Sequence, residues 1–400
     1  MMLKDKKIAL YVTGGIAAYK SVLLLRELVK EGADVRVAMT KSATEFVTPL
    51  TFQILSKNEV SIDTFDEQHP DRVNHIYLAD WAEHSIIAPA TANVISNLAN
   101  GLGDSFVTTA LLATDHPVFI VPAMNTKMYE NPATQRNLKV LAGDGHQLME
   151  PDVGFLAEGY EGKGRFPEVI RILEEFKHHV LESTSNKQLE GSKVLVSAGG
   201  TIERIDPVRY LSNDSSGKMG HELAQAAYEA GADVTLVTAS SLPTNPYIKR
   251  INVESATDMF EALVSEYENA DYLIMSAAVS DYGPVDTSGQ KMKKQETLSI
   301  ELKQNKDILK HLGTLKKDHQ VNVGFAAETQ NIEEYALVKL DSKNADFIIA
   351  NDVSQKDRGF NSEDNEVIVY SKSDDPVHLP LASKAELAKQ ILNIITNENK

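Results

Sequence analysis

Apolar residues in this chain fall in short unbroken runs rather than in strict alternation with polar ones. IALYV (8–12), HSIIAPA (84–90), HPVFIVPA (116–123), KVLVSA (193–198), DYLIMSAA (271–278), VNVGFAAE (321–328) and DFIIAND (346–352) are all of this kind. Such runs predict strands buried on both faces, as in a parallel sheet covered by helices. NEVIVYS (365–371) is a further candidate. The connecting segments carry apolar residues at helical spacing. Strand then helix, repeated, predicts an α/β fold.

Two stretches share one grammar. KKIALYVTGGIAAYKSVLLLRELVKEGADVRVAMT and the segment from SKVLVSAGG to GADVTLVTA both read strand, Gly-Gly turn, helix, GADV, strand. Each is the opening βαβ unit of a doubly wound, Rossmann-like domain. The anchor glycines Gly14 and Gly32 are 18 positions apart, and Gly199 and Gly231 are 32 apart. The second unit is therefore about 14 residues longer. Its excess includes DPVRYLSNDSSGKMG, too polar for a core and placed where functional loops occur. The polar segment LESTSNKQLEGS predicts a linker at 183–190 between domains at 1–182 and 191–400.

Composition narrows the chemistry. The 400 residues include no cysteine, which excludes disulfides, thiolate metal sites and cysteine nucleophiles. A net charge of −17 argues against broad nucleic-acid binding. There is no apolar run of membrane length and no signal peptide, so a cytoplasmic protein is expected. An anionic substrate would need locally clustered cations, and Lys291, Lys293 and Lys294 of DTSGQKMKKQ form one such cluster. A solvated face explains such runs as readily. Lys339 and Lys343, four residues apart on an expected helix, can point one way.

Ligands in such folds gather at the carboxyl ends of the strands. PATANVISN, PAMNTKMYENP, SAAVSDYGP, GFAAET and ANDVS all stand there. Gly14 and Gly15 meet a helix N-terminus, which suits a phosphate or a plain turn. The second strand ends in Thr40 and Lys41, where a nicotinamide site usually carries an acid, so a mononucleotide phosphate fits better. Asn125 reads as a helix cap or as a grip on a carboxylate. His75 and His84 read as surface or core histidines or as catalysts, and Lys177–His179 as a solvated helix end. Neither pair has metal-ligand company, so no protein-built metal site is expected. GFLAEGYEGKGR (154–165) lacks an apolar period and is read as neither helix nor strand. Its glycines suit a mobile flap, a phosphate cradle or a plain surface loop.

Taken jointly, these motifs resemble one family over nearly the full length. It is the bifunctional phosphopantothenoylcysteine decarboxylase and phosphopantothenate–cysteine ligase family of coenzyme A biosynthesis. PAMNTKMYENP, DPVRYLSNDSSGKMG and KMKKQ carry the resemblance, with NHIYLADWA, APATANVISNLANGLGDS, GFAAET and ANDVSQKDRGFNSEDN. The first half is similar to homo-oligomeric flavin-containing cysteine decarboxylases, which implies a flavodoxin-like flavoprotein domain followed by a nucleotide-binding ligase domain. The resemblance implies FMN, held by Gly14, Gly15, Ile16, Thr40, Pro89, Ala90, Thr91, Asn93 and Met124. It assigns His75 to the oxidative step and Asn125 to the substrate carboxylate. It also implies trimeric contacts in the flavin domain, dimeric contacts in the ligase domain and a dodecamer.

For the second half the resemblance implies that CTP, with Mg2+, activates 4′-phosphopantothenate as an acyl-cytidylate, which the amine of cysteine attacks. It places Arg209 and Asn213 at that intermediate and makes Lys291 a catalytic cation. Ala278, Asp281, Lys306, Asp307, Ile308, Leu309, Phe325, Lys339 and Lys343 match nucleotide and substrate contacts. In one place the chain departs from the pattern: Glu158 stands where the family has a cysteine acid. Three readings are open there. Glu158 donates the final proton, water or another side chain does, or the reaction stops at the ene-thiol. A flavin-binding regulatory protein and a nicotinamide oxidoreductase are the competing classes.

Overall fold

A computed structural model describes residues 2–65, 72–184, 187–293, 297–328, 332–352, 364–372 and 375–397. Ser185, Asn186, Lys294, Gln295, Thr329 and 353–363 of the motifs above lie outside them. The chain divides into two compact units, Met1–Thr184 and Ser185–Lys400.

The first unit is built on a parallel sheet of β1 (Lys7–Val12), β2 (Asp34–Met39), β3 (Val60–Ser61), β4 (His84–Ala90), β5 (Val118–Pro122) and β6 (Gln147–Leu148), in the order β3-β2-β1-β4-β5-β6. Without the two-residue edge strand β3, the order is that of flavodoxin. The reason for the unbroken apolar runs is visible in β1. Ile8, Leu10 and Val12 enter one core with Leu24, Leu28 and Phe176, while Ala9 and Tyr11 enter another with Ile95 and Phe106. Both faces are covered, so alternation would leave a polar side chain in one core.

The second unit repeats the plan with an extension. Its main sheet contains β9 (Lys193–Ala198), β12 (Asp233–Thr238), β13 (Lys249–Asn252), β14 (Tyr272–Met275), β17 (Val321–Glu328), β18 (Phe347–Asp352), β19 (Asp364–Ser371) and β20 (Val377–Ser383). The order is β13-β12-β9-β14-β17-β18-β19-β20, parallel up to β18 and antiparallel beyond it. Small hairpins hang from this frame: β7 (Asp152–Phe155) with β8 (Glu161–Arg165) in the first unit, then β10 (Ile202–Arg204) with β11 (Tyr210–Ser212), and β15 (Tyr282–Pro284) with β16 (Leu302–Gln304) in the second. The long polar insertion holds the β10–β11 hairpin. The helix Lys218–Glu229 starts only after it.

Two expectations are corrected. GFLAEGYEGKGR forms most of an antiparallel hairpin, with Gly154 opposite Gly162 and Phe155 opposite Glu161. Its side chains are mostly exposed, so the backbone ladder forms it without any apolar pattern. Lys177–His179 lies within the helix Val169–Ser183 and is packed rather than solvated. Lys177 pairs with Glu31 at 2.7 Å, and His179 lies 5.7 Å from the Phe119 ring.

His179 belongs to a group of half-buried to buried histidines at the amino ends of β4, β5 and β6. His116 shares a 3.0 Å hydrogen bond with Ser85, and His146 Nδ1 accepts from Val118 N at 3.1 Å. Burial, with Lys6 and the neighbouring His116 and His179, pushes His84 down to about 4, against a smaller upward pull from Glu83. His116, His146 and His179 are lowered too, chiefly by burial. The folded state thus keeps these rings neutral where the unfolded chain binds protons. Stability is full above the unfolded value near 6.5 and is lost as pH falls toward 4. His84 alone is worth on the order of 3 kcal/mol across that window. Trp81, the single tryptophan, reports on this unit by fluorescence. Its urea midpoint should fall steeply between pH 7 and pH 4.5, and His84→Gln should flatten the fall. An equal slope in that variant would exclude His84 as a contributor.

Candidate functional site

In the first unit, predicted residues converge where β1, β4 and β5 end. Thr13, just past β1, donates from Oγ1 to Pro89 O at 2.7 Å and accepts from Thr91 N at 3.0 Å. This locks TGGIA against PATAN. A Cβ on Gly14 would stand 2.3 Å from Ser42 Cβ, so only glycine lets the turn after β2 approach. Thr40 caps that turn, accepting from Ala43 N at 3.2 Å. Ile16 and Asn93 are exposed beside this bare backbone, and Pro89 and Ala90 form its buried floor. The helix Ala18–Lys30 begins here with its amide dipoles toward the turn.

On the neighbouring strand end, Asn125 is both cap and donor. Its Oδ1 accepts from Lys127 N at 2.9 Å, and its Nδ2 donates to the Tyr160 hydroxyl. The cap takes one lone pair of the carbonyl and Tyr160 takes one N–H, which leaves the second N–H of the amide for recognition. Tyr160 comes from the β7–β8 hairpin, and this contact was not read from the sequence. Met124 N donates to Gly164 O at 3.0 Å. A Cβ on Gly164, at φ 137°, would lie 2.2 Å from Met124 O, and one on Gly162 would lie 2.0 Å from Thr126 Oγ1. The glycines of GYEGKGR therefore let the hairpin lie on PAMNT. Glu158 sits exposed in the turn of that hairpin.

His75 lies on the helix Asn74–Trp81, its ring edge-on to Phe106 at 6.5 Å. Among the described residues its Nδ1 is buried without a hydrogen-bond partner, as is Thr126 Oγ1. Orphaned polar atoms of this kind cost about 1–3 kcal/mol each and commonly mark a ligand's place. Bare glycine backbone at a helix N-terminus, a floor of Pro89 and Ala90, and these two atoms fit a phosphate-bearing flavin.

In the second unit, one cleft of about 500 Å³ opens at the carboxyl ends of the strands. Asn213, Ala278, Asp281, Lys306, Asp307, Ile308, Leu309, Phe325, Lys339 and Lys343 all line it. Asn213 Nδ2 donates to Ala278 O at 3.1 Å. Asp307 caps the helix Ile308–Leu315 and pairs with Lys343 at 3.3 Å. Lys306 lies 4.3 Å from the centroid of the Phe260 ring. The helix Ile332–Ser342 ends one residue before Lys343, yet Lys343 N still donates to Lys339 O at 3.1 Å, so the pair remains one turn apart. In a chain of net charge −17 these three lysines form a local cationic wall. Among the described residues no group of three His, Asp or Glu could hold a metal ion.

Arg209 and Lys291 are not brought into this lining. Arg209 is held by the buried Asp206, at 2.9 Å through Nε and 2.6 Å through Nη2, and donates to Met292 O at 3.2 Å. Arg209 in turn holds the Asp206 carboxyl well below the usual carboxylate range. Met292 N also donates to Asp206, so the segment bearing Lys291 is tied to Arg209. The cleft also includes Asn351, from the strand-end stretch ANDVS, with Asn365 and Lys384; the sequence assigned a role to none of the three.

Comparison with known proteins places both units. Residues 1–181 match the model of the Flavoprotein family, and 189–398 match that of the DNA/pantothenate metabolism flavoprotein C-terminal domain. The coenzyme A biosynthesis bifunctional protein CoaBC of Bacillus subtilis is 48% identical over 402 residues, covering 100% of this chain and 98% of that protein. Its namesake from Vibrio cholerae serotype O1 is 45% identical over 397 residues, with 98% of each covered. A crystal structure of the C-terminal domain of a CoaBC protein is 42% identical, covers 53% of this chain and 98% of that one, and superposes with a TM-score of 0.46.

Proposed function

Because the chain belongs to the family of bifunctional coenzyme A biosynthesis proteins, we propose that it runs two consecutive reactions. The C-terminal unit joins cysteine to 4′-phosphopantothenate using CTP. The N-terminal unit decarboxylates the product, 4′-phosphopantothenoylcysteine, to 4′-phosphopantetheine. The carrying observation is the end-to-end match, which brings both units together.

In the ligase reaction, Lys306, Lys339 and Lys343 offset nucleotide and pyrophosphate charge, and Mg2+ enters with the triphosphate. Asn213 and Arg209 hold the acyl-cytidylate. In the decarboxylase reaction, Gly14, Gly15, Ile16, Thr40, Pro89, Ala90, Thr91, Asn93 and Met124 would hold FMN. Bound there, it supplies the redox capacity that turns the substrate's CH2–SH into an electron sink. Asn125 offers its second amide N–H to the substrate carboxylate. His75 takes a proton at its unpaired Nδ1 during oxidation. Glu158 returns a proton once CO2 has left. Exposed Ile16, Tyr19, Leu23, Leu50 and Ile54 support a homo-oligomer that covers the flavin unit. No helix among the described residues is long and apolar enough to cross a membrane.

The exposure of Glu158 favours a second reading for the last step, in which the reaction stops at the ene-thiol. One experiment covers both. Wild-type protein given 4′-phosphopantothenate, cysteine and CTP should yield saturated phosphopantetheine by mass analysis. Glu158→Gln should accumulate the ene-thiol, with saturated product down about 10²-fold or more. Unchanged saturated product in the variant would remove Glu158 from the role. Ene-thiol from the wild type would establish the second reading.

A further inference from the structure

We propose that Asn351 and Asn365 form the seat of the amine nucleophile in the ligase cleft, binding an α-amino acid through its amino group. The proposal rests on the ligase reading above and deepens it. β18 and β19 are antiparallel, with Asn351 directly opposite Val367. The β19–β20 ladder shifts register between Asn365 and Val367, yet along β19 Asn365, Val367 and Val369 are all buried, so Asn365 keeps to the face of Val367 and Asn351. Asn365 is paired with Ala382 of β20, two residues before Lys384, where the last helix begins. All three line the cleft.

Asn365 is only 4% exposed. Among the described residues, its Oδ1 and that of Asn351 are buried with no donor. Neighbouring carbonyl oxygens left unpaired at the wall of a cleft call for a ligand that donates. The phosphates and carboxylate of the other reactants bring acceptors, and the lysines of the cleft suit those. The amine brings donors. A neutral amine has two N–H bonds and one lone pair. Two carboxamide oxygens can take both N–H bonds and leave the lone pair directed at the acyl carbon. Being uncharged, carboxamides do not hold the amine in its protonated form as carboxylates would. A nucleobase amine also offers two N–H bonds. Lys384, buried on the same wall and already engaged, adds positive charge that suits the carboxylate of an amino acid better than a nucleobase.

The step balances simply. The amine nitrogen forms the C–N bond, and the acyl C–O bond to the cytidylate breaks with its electron pair left on the phosphate oxygen. The proton lost by nitrogen passes to solvent.

The test uses the full chain and varies cysteine, CTP and 4′-phosphopantothenate in turn. In Asn365→Ala and Asn351→Ala the KM for cysteine should rise about tenfold or more, and the other two KM values should stay within about twofold. Pyrophosphate release without cysteine should keep its amplitude. A rise confined to the KM for CTP would assign the wall to the nucleobase and overturn the proposal, as would unchanged KM values. If Asn365→Ala does not fold, the near-isosteric Asn365→Asp serves. Its added charge should move the rising limb of kcat/KM for cysteine to higher pH, and an unmoved limb would overturn the proposal. If the wild type releases no pyrophosphate and makes no amide, the ligase reading itself falls, and this proposal with it.

Discussion

Lys291→Gln is expected to cut amide formation by about 10²–10³-fold while decarboxylation of supplied phosphopantothenoylcysteine continues at its normal rate. The substitution keeps length and polarity and removes only the charge. In the proposed reaction, negative charge grows on the departing pyrophosphate and then on the cytidylate, and a positioned cation stabilises both. Lys291 is exposed in the 285–301 connection between β15 and β16. The base of that hairpin is at the cleft, where Asn305 N donates to Asp281 O at 2.8 Å. The residue after Lys291 is fixed by Asp206 and Arg209, and Ser288 N donates to Ile205 O at 3.0 Å, so described residues on both sides of Lys291 are anchored. The expectation is thus that this arm brings its cation to the bound nucleotide. Separate assays of the two activities check it. Equal loss of both in a folded protein would break the division of labour between the units, and undiminished amide formation would remove Lys291 from catalysis.

The frame was legible because burial on both faces writes itself into the chain. β1, β4, β5, β14, β17 and β18 are each unbroken apolar runs, and the repeated Gly-Gly and GADV marks gave the two βαβ units. What stayed hidden lacks that imprint. The β7–β8 hairpin is held by its ladder and by the close approach of Gly162 and Gly164 to PAMNT, which no side-chain period records. β20 is an edge strand whose residues are mostly exposed, so VHLPLAS does not read as a buried run. Lys177–His179 was misread because their packing depends on Glu31 and Phe119, remote in sequence.

The candidate sites were legible to a different degree. The strand-end rule located PATAN, PAMNT, SAAVS and GFAAE, yet the rule gives places and not roles. The ligase cleft gathers Asn213 and Lys343 from positions 130 residues apart, and only the fold makes them neighbours. Family resemblance supplied those residues one by one. Where the resemblance gave no role, at Tyr160, Asn351 and Asn365, unpaired atoms and cross-strand register were needed. Arg209 and Lys291 show the reverse case, named from resemblance but outside the lining of the cleft, with Arg209 bonded to Met292 beside Lys291.

His75→Asn should lower decarboxylation by about 10²–10⁴-fold and leave amide formation within about twofold of normal. The argument starts from one atom. Nδ1 of His75 is buried and unpaired, an arrangement that costs stability unless a bound group completes it. The ring is held edge-on by Phe106, so the nitrogen keeps its direction without a second hydrogen bond. Such an imidazole can accept a proton from substrate with little rearrangement. Asparagine retains polarity but cannot take up that proton at neutral pH. Trp81 sits on the same helix and its fluorescence reports whether the helix survives. An intact Trp81 signal with retained flavin binding and lost decarboxylation supports the role. Should Trp81 report unfolding, His75→Gln repeats the test with a longer side chain. Full decarboxylation in either folded variant would take His75 out of the proton path and leave its unpaired nitrogen as a matter of packing alone.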